Sequence, residues 1–206
     1  MQFCADCRAT FTLLDRGEHF QRRALLLDQT HPECVCQTQS VSEYSTGPID
    51  GDEILVRILV APQHMDRKGG PKAGALTDAE RSGLSLFREE QATDAEIRKV
   101  AEGLVERARA ANLGKPEKAG VFGALRMKCS VIRCLKIEQD PAPPYCVYDT
   151  ALKETPSHAE TFQRVAGAPL ELCDERRRAL FNLVKADFVP VALFRSGLLL
   201  DLAPKS

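Results

Sequence analysis

Glu53-Ile-Leu-Val-Arg-Ile-Leu-Val-Ala-Pro62 is the stretch on which the fold class turns. Apart from Arg57, every side chain from Ile54 to Ala61 is apolar, and β-branched residues recur. Such a run reads as a largely buried strand, closed by a proline that cannot continue a ladder. Arg57 is the exception, because a charge inside an apolar strand requires a partner. Outward from this strand, residues 63–75 have no periodicity and carry Gly69, Gly70, Pro71 and Gly74. They read as a long loop, and long loops in compact domains are often functional. Thr77-Asp-Ala-Glu80 fits a capping box that would start a helical turn. Leu84 to Glu89 alternates and reads as a second strand.

Thr93-Asp-Ala-Glu96 is a second capping box. Ile97, Val100, Ala101, Leu104, Val105 and Ala108 then recur at helical spacing, which predicts an amphipathic helix over about 94–112. Gly114 and Pro116 supply its stop signal. Residues 120–138 read as one long strand or two, and residues 145–150 as another. Ser157-His-Ala-Glu160 fits a third capping box, with a short helix expected to about Ala166 and Glu160 at its N3 position. Residues 174–186 predict a second amphipathic helix burying Leu180, Leu183 and Val184. Residues 188–202 contain one or two short strands, broken at Ser196-Gly197. This order predicts an α+β fold: a mostly antiparallel sheet covered by two amphipathic helices, with a small N-terminal metal-knuckle module. Residues 1–40 form that module, 41–52 a Ser/Gly-rich linker, and 53–206 the main domain.

Composition bounds the function classes. With 28 basic and 29 acidic residues the chain has no overall basic field for nucleic acid, although local patches remain open. Trp is absent and Tyr occurs three times, so base-stacking platforms are scarce. No apolar run approaches the roughly 20 residues that span a bilayer. The first residues lack the pattern of a secretory signal, so a cytoplasmic location is expected. In a reducing compartment, eight cysteines point to thiols and metal ligands over disulfides. Cys129, Cys134, Cys146 and Cys173 are expected to be buried, unreactive thiols.

The other four cysteines form a pattern. Phe3-Cys-Ala-Asp-Cys-Arg-Ala-Thr-Phe11 holds Cys4 and Cys7, and His31-Pro-Glu-Cys-Val-Cys36 follows. Zinc takes four ligands, mostly thiolate and imidazole, in a tetrahedron. A Cys-x-x-Cys turn presents two sulfurs to one ion. Cys34 and Cys36, two apart in an extended stretch, face the same side and can supply the other two. His31 with Cys34 is the alternative second pair, competing with Cys36 for the fourth position. The first of these stretches resembles the first knuckle of a zinc ribbon. The expectation is a structural zinc ion held by Cys4, Cys7, Cys34 and Cys36.

A candidate active surface comes from three places. Arg57 can hold an anion. The loop after its strand offers His64 and Asp66 beside Arg67 and Lys68. The stretch from Ser157 offers His158 and Glu160, a histidine and a carboxylate suited to general acid–base work. The glycine-rich loop lacks both the P-loop ending and the dinucleotide fingerprint. Arg57 in a strand, Leu84-Ser85 on a later one and His158-Ala159 beyond resemble a group of small bacterial proteins of uncharacterised activity. An Arg on the first core strand and a Ser on a later one is also similar to NAD-directed ADP-ribosyltransferase-like toxins. That resemblance implies a catalytic glutamate, for which Glu89, Glu90 and Glu160 are candidates. The leading expectation is an enzyme acting on an anionic or nucleotide-like small molecule. His158 would serve as acid or base, Arg57 as anion holder, and His64 or Asp66 would assist. The alternative is a non-catalytic zinc-containing module that binds a partner protein or nucleic acid.

Overall fold

A computed structural model describes residues 8, 11, 21–30, 35–138, 140 and 142–205. Six strands form one sheet: β1 (Ile54–Ala61), β2 (Leu84–Arg88), β3 (Gly120–Lys128), β4 (Tyr145–Asp149), β5 (His158–Gln163) and β6 (Phe188–Pro190). The order is β4-β5-β2-β1-β3-β6, and every neighbouring pair is antiparallel. Among the described residues, the α-helices that accompany them are α1 (Arg23–Thr30), α2 (Asp94–Ala111), α3 (Cys129–Arg133) and α4 (Leu170–Val184). The fold is α+β, as the order of elements predicted. Among the described residues, no helix is long and apolar enough to cross a membrane.

β1 sits near the middle of the sheet, and all of it after Ile54 is buried. Its alternation feeds two cores. Leu55 and Leu59 join Leu84, Leu86, Leu125 and Met127 on one face, together with Leu180 and Val184 of α4 and Leu76 of a 3-10 segment, Ala73–Glu80. Val56, Ile58 and Val60 join Phe87 on the other face, packed against Ile97, Ala101, Val105 and Ala108 of α2. A third cluster lies over β4 and β5, where Ala24 and Leu27 of α1 meet Phe11, Val41, Cys146, Tyr148 and Phe162. Cys146 and Phe162 alternate with residues of the α4-side core, so α1 covers the same face as α2 but farther along the sheet.

α2 begins at the capping box read from the sequence. Thr93 Oγ1 accepts from Glu96 N–H, and the Glu96 carboxylate accepts from Thr93 N–H. Its C-cap is Asn112, two residues before the glycine expected near that end. The Thr77 box behaves differently, since Thr77 to Glu80 closes the 3-10 segment instead of opening a helix. The Ser157 box is not a helix start at all. Residues 158–163 are the strand β5, hydrogen-bonded to β2 on one side and β4 on the other. Two flanking strands satisfy the backbone on both sides, and that outweighs a local capping preference. Ser157 Oγ donates to the Glu96 carboxylate instead. β3 ends at Lys128, where α3 turns the chain, so residues 129–138 are not strand. α4 starts four residues earlier than expected, and Leu183 on it is 52% exposed where burial was expected. Cys129, Cys146 and Cys173 are buried thiols, but Cys134 is exposed at the end of α3.

Candidate functional site

The pairing of β1 with β2 runs over two positions, Leu55 with Arg88 and Val56 with Phe87. β2 meanwhile pairs with β5 along four positions, from Leu84–Thr161 to Phe87–His158. Beyond Val56 the two central strands are no longer paired, and the sheet opens there. On the same face α1 and α2 cover different strands, which leaves the floor between them uncovered. A cleft of about 1060 Å³ occupies this position, lined by Arg57, His64, Asp78, Ser85, Arg107 and His158 among others.

Arg57 marks the split. It is 5% exposed, and Nη1 donates to the Ser85 carbonyl oxygen at 3.2 Å. Nη2 donates to the Asp78 carboxylate at 2.6 Å. The Nε–H is buried and finds no hydrogen-bond partner among the described residues. Burial is the largest influence on this guanidinium and lowers its pKa, with Asp78 acting in the opposite direction. Asp78 comes from the 3-10 segment, and its side chain is 49% exposed. A buried cation is thus matched by a carboxylate that solvent can reach.

His158 is the first residue of β5, on the face that β2 presents through Ser85 and Phe87. Its Nε2 lies 2.8 Å from Ser85 Oγ. Its Nδ1 lies 3.0 Å from Thr150 Oγ1 and 3.3 Å from the Thr150 carbonyl oxygen. A carbonyl oxygen can only accept, so the tautomer that satisfies this contact carries its proton on Nδ1 and leaves Nε2 as the acceptor. In that tautomer the Ser85 hydroxyl donates to His158 Nε2. The cleft thus holds the Ser85 hydroxyl, the His158 imidazole and Thr150 in sequence.

Glu160 stands directly opposite Ser85 in the β2–β5 ladder. Its carboxylate is held by Arg23 of α1 through two bonds, of 3.0 and 2.8 Å, and Arg23 also donates to the Ser82 carbonyl oxygen. Glu160 is therefore a structural anion in the floor of the cleft and not a helix cap. Glu89, another glutamate suggested by the toxin-like resemblance, pairs with Arg126.

His64 also lines the cleft. Its Nδ1 accepts the Val60 backbone N–H at 3.0 Å. Burial, and next the charge of Arg57, push its pKa down to about 4. His64 is therefore neutral near pH 7, with its proton on Nε2. Asp66 is not among the lining residues. Its Oδ1 accepts from the backbone N–H groups of Lys68 and Gly70 at 2.8 and 2.9 Å, closing its own turn. Of the four proposed catalytic residues, the fold brings Arg57, His64 and His158 to one cleft and leaves Asp66 outside it.

Sequence reading passed over Asp78, Thr150 and Arg107 and met Ser85 only through a resemblance. Arg107 had a signal: Val100 and Leu104 lead to it at helical spacing, and all three line the cleft. Thr150 had none, because its contribution includes a backbone carbonyl. Cys4, Cys7, His31 and Cys34 lie outside the described residues, as does the side chain of Cys36. Among the described residues, no group of three or more His, Cys, Asp and Glu side chains is arranged to hold a metal ion. Compared with known proteins, the chain matches no family model, no curated protein and no solved structure.

Proposed function

We propose that this chain is an enzyme acting on an anionic small molecule, with Arg57 holding the anion and His158 moving the proton. The observation that carries the reading is the Ser85 Oγ–His158 Nε2 contact of 2.8 Å, in the cleft that Arg57 also lines. A general base needs hydrogen-bond reach to the proton it takes and a second group that orients it. Thr150 is that second group. Arg57 supplies the charge, and Asp78 is the counter-ion that an incoming anion would displace. His64 adds a neutral N–H donor to the same lining. A phosphate or carboxylate on the substrate suits the planar guanidinium fork.

Pyrophosphate serves as the probe for the anion site. Calorimetric titration should show binding to the wild-type chain. Arg57→Lys keeps the charge but loses the fork, and should weaken that binding by about tenfold, the equivalent of 1.4 kcal/mol. Unchanged pyrophosphate affinity in a folded Arg57→Lys protein would remove Arg57 from the role. The alternative class, a non-catalytic interaction module, predicts that His158→Ala has no effect in any turnover assay. We also propose a structural zinc ion on Cys4, Cys7, Cys34 and Cys36, supported by their spacing, with His31 the competitor for the last position.

A further inference from the structure

We propose that Ser85 is a nucleophile and that the cleft carries out acyl transfer through a covalent seryl ester, an inference that rests on reading this cleft as an active site. Three observations converge on Ser85. Its hydroxyl lies 2.8 Å from His158 Nε2, and the other ring nitrogen is held from behind by the Thr150 hydroxyl and carbonyl. This is the nucleophile, base and orienting-group sequence of covalent catalysis, with a threonine and its carbonyl in the third place. Ser85 is only partly buried and lines the cleft, so a substrate can reach it. The carboxylate facing it across the ladder, Glu160, is neutralised by the bidentate Arg23 pair. No unpaired carboxylate therefore opposes negative charge developing at the site from that side.

The charge around Ser85 selects the reaction class. One guanidinium, Arg57, reaches the Ser85 backbone, and Asp78 already offsets part of its charge. A transferring phosphoryl group spreads charge over three equatorial oxygens and needs several cations or donors around it. An acyl oxyanion carries one negative charge. The substrate class is accordingly an ester or thioester that bears a negative group. Arg107, exposed on α2 at the same cleft and without a carboxylate partner among the described residues, can join Arg57 in receiving that group.

The steps balance without any oxidant or co-reactant besides water. Ser85 Oγ adds to the carbonyl carbon while its proton passes to His158 Nε2. The tetrahedral species collapses, the bond to the leaving oxygen or sulfur breaks, and Nε2 returns the proton to that atom. Water then adds to the seryl ester and gives its proton to Nε2. The Oγ–C bond breaks, and Ser85 recovers its proton. The products are an acid and an alcohol or thiol.

Incubation of the full chain with an alkyl fluorophosphonate tests this directly. Intact mass and peptide mapping should show one adduct per chain on Ser85. His158→Ala should slow its formation by about 100-fold or more, and Ser85→Ala should abolish it. A p-nitrophenyl ester should give a burst of one nitrophenol per chain. Absence of an adduct on Ser85 in the folded wild-type protein overturns the proposal whatever the variants do. Labelling that ignores His158→Ala overturns it too. The pyrophosphate titration separates the two claims. Retained pyrophosphate binding with no Ser85 adduct rejects the nucleophile and spares the anion site. A Ser85 adduct without pyrophosphate binding supports the nucleophile and rejects the anion-holding role of Arg57.

Discussion

His64 and His158 share a cleft and have different surroundings. His158 spends its ring nitrogens on the hydroxyls of Ser85 and Thr150 and on the Thr150 carbonyl oxygen. His64 spends Nδ1 on a backbone N–H and lies near Arg57, which disfavours its charged form. Its folded pKa of about 4 lies below the ordinary value of 6.5, so the unfolded chain binds the extra proton between those values. Stability from this residue is complete above pH 6.5 and is lost as pH falls toward 4. The shift corresponds to roughly 3 kcal/mol at most, and less for a ring that is partly solvated. Urea denaturation between those pH values should show stability falling with acidity, and His64→Gln should flatten that slope. An unchanged slope in the variant would place the titration elsewhere. Arg57 was legible as a charge that needs a partner, because it stands alone in an apolar strand; that Asp78 supplies the partner was not legible. Asp66 was not distinguishable from a catalytic carboxylate, since its role in closing a turn depends on the backbone path of Lys68 and Gly70.

Among the elements, α1 is tied to the sheet through a buried ion pair. The side chains of Arg23 and Glu160 are 4% and 8% exposed. Removing one partner of such a pair leaves a buried charge uncompensated, which costs about 3–5 kcal/mol. Arg23→Ala should therefore lower the unfolding free energy by roughly 3 kcal/mol. Arg23→Met combined with Glu160→Gln should recover much of that loss. Equal destabilisation by the single and double variants would show that packing, not charge, holds α1. The same pair explains why Ser157-His-Ala-Glu160 misleads as a sequence. Capping chemistry and an alternating strand use the same four residues, and the choice between them is made by β2, β4 and Arg23. The helix α2 presents no such conflict, because its capping box, its periodicity and its burial all agree.

Over the whole molecule, one sheet face is closed by α4 and the 3-10 segment, and the other is covered at two separate places by α1 and α2. The proposed zinc belongs at this scale, because its ligands, Cys4 and Cys7 before α1 and Cys34 and Cys36 after it, would tie together the two segments that flank that helix. Metal analysis of the purified chain should find one zinc per molecule, and a chelator should lower the melting temperature. Cys7→Ser should do the same without added chelator. A metal-free protein whose melting ignores chelator would rule the zinc out. The apolar run from Ile54 to Ala61, the stripe on α2 and the interspersed strands were enough to determine an α+β fold, because period-2 and period-3.6 burial are written locally. The lone charge of Arg57 was written there too. The split between β1 and β2, the cleft between two helical covers and the meeting of Ser85, His158 and Thr150 were decided by tertiary structure alone. Each depends on strand register and on backbone groups, which bring Ser85 within hydrogen-bond distance of His158, 73 positions along the chain, without leaving a local pattern.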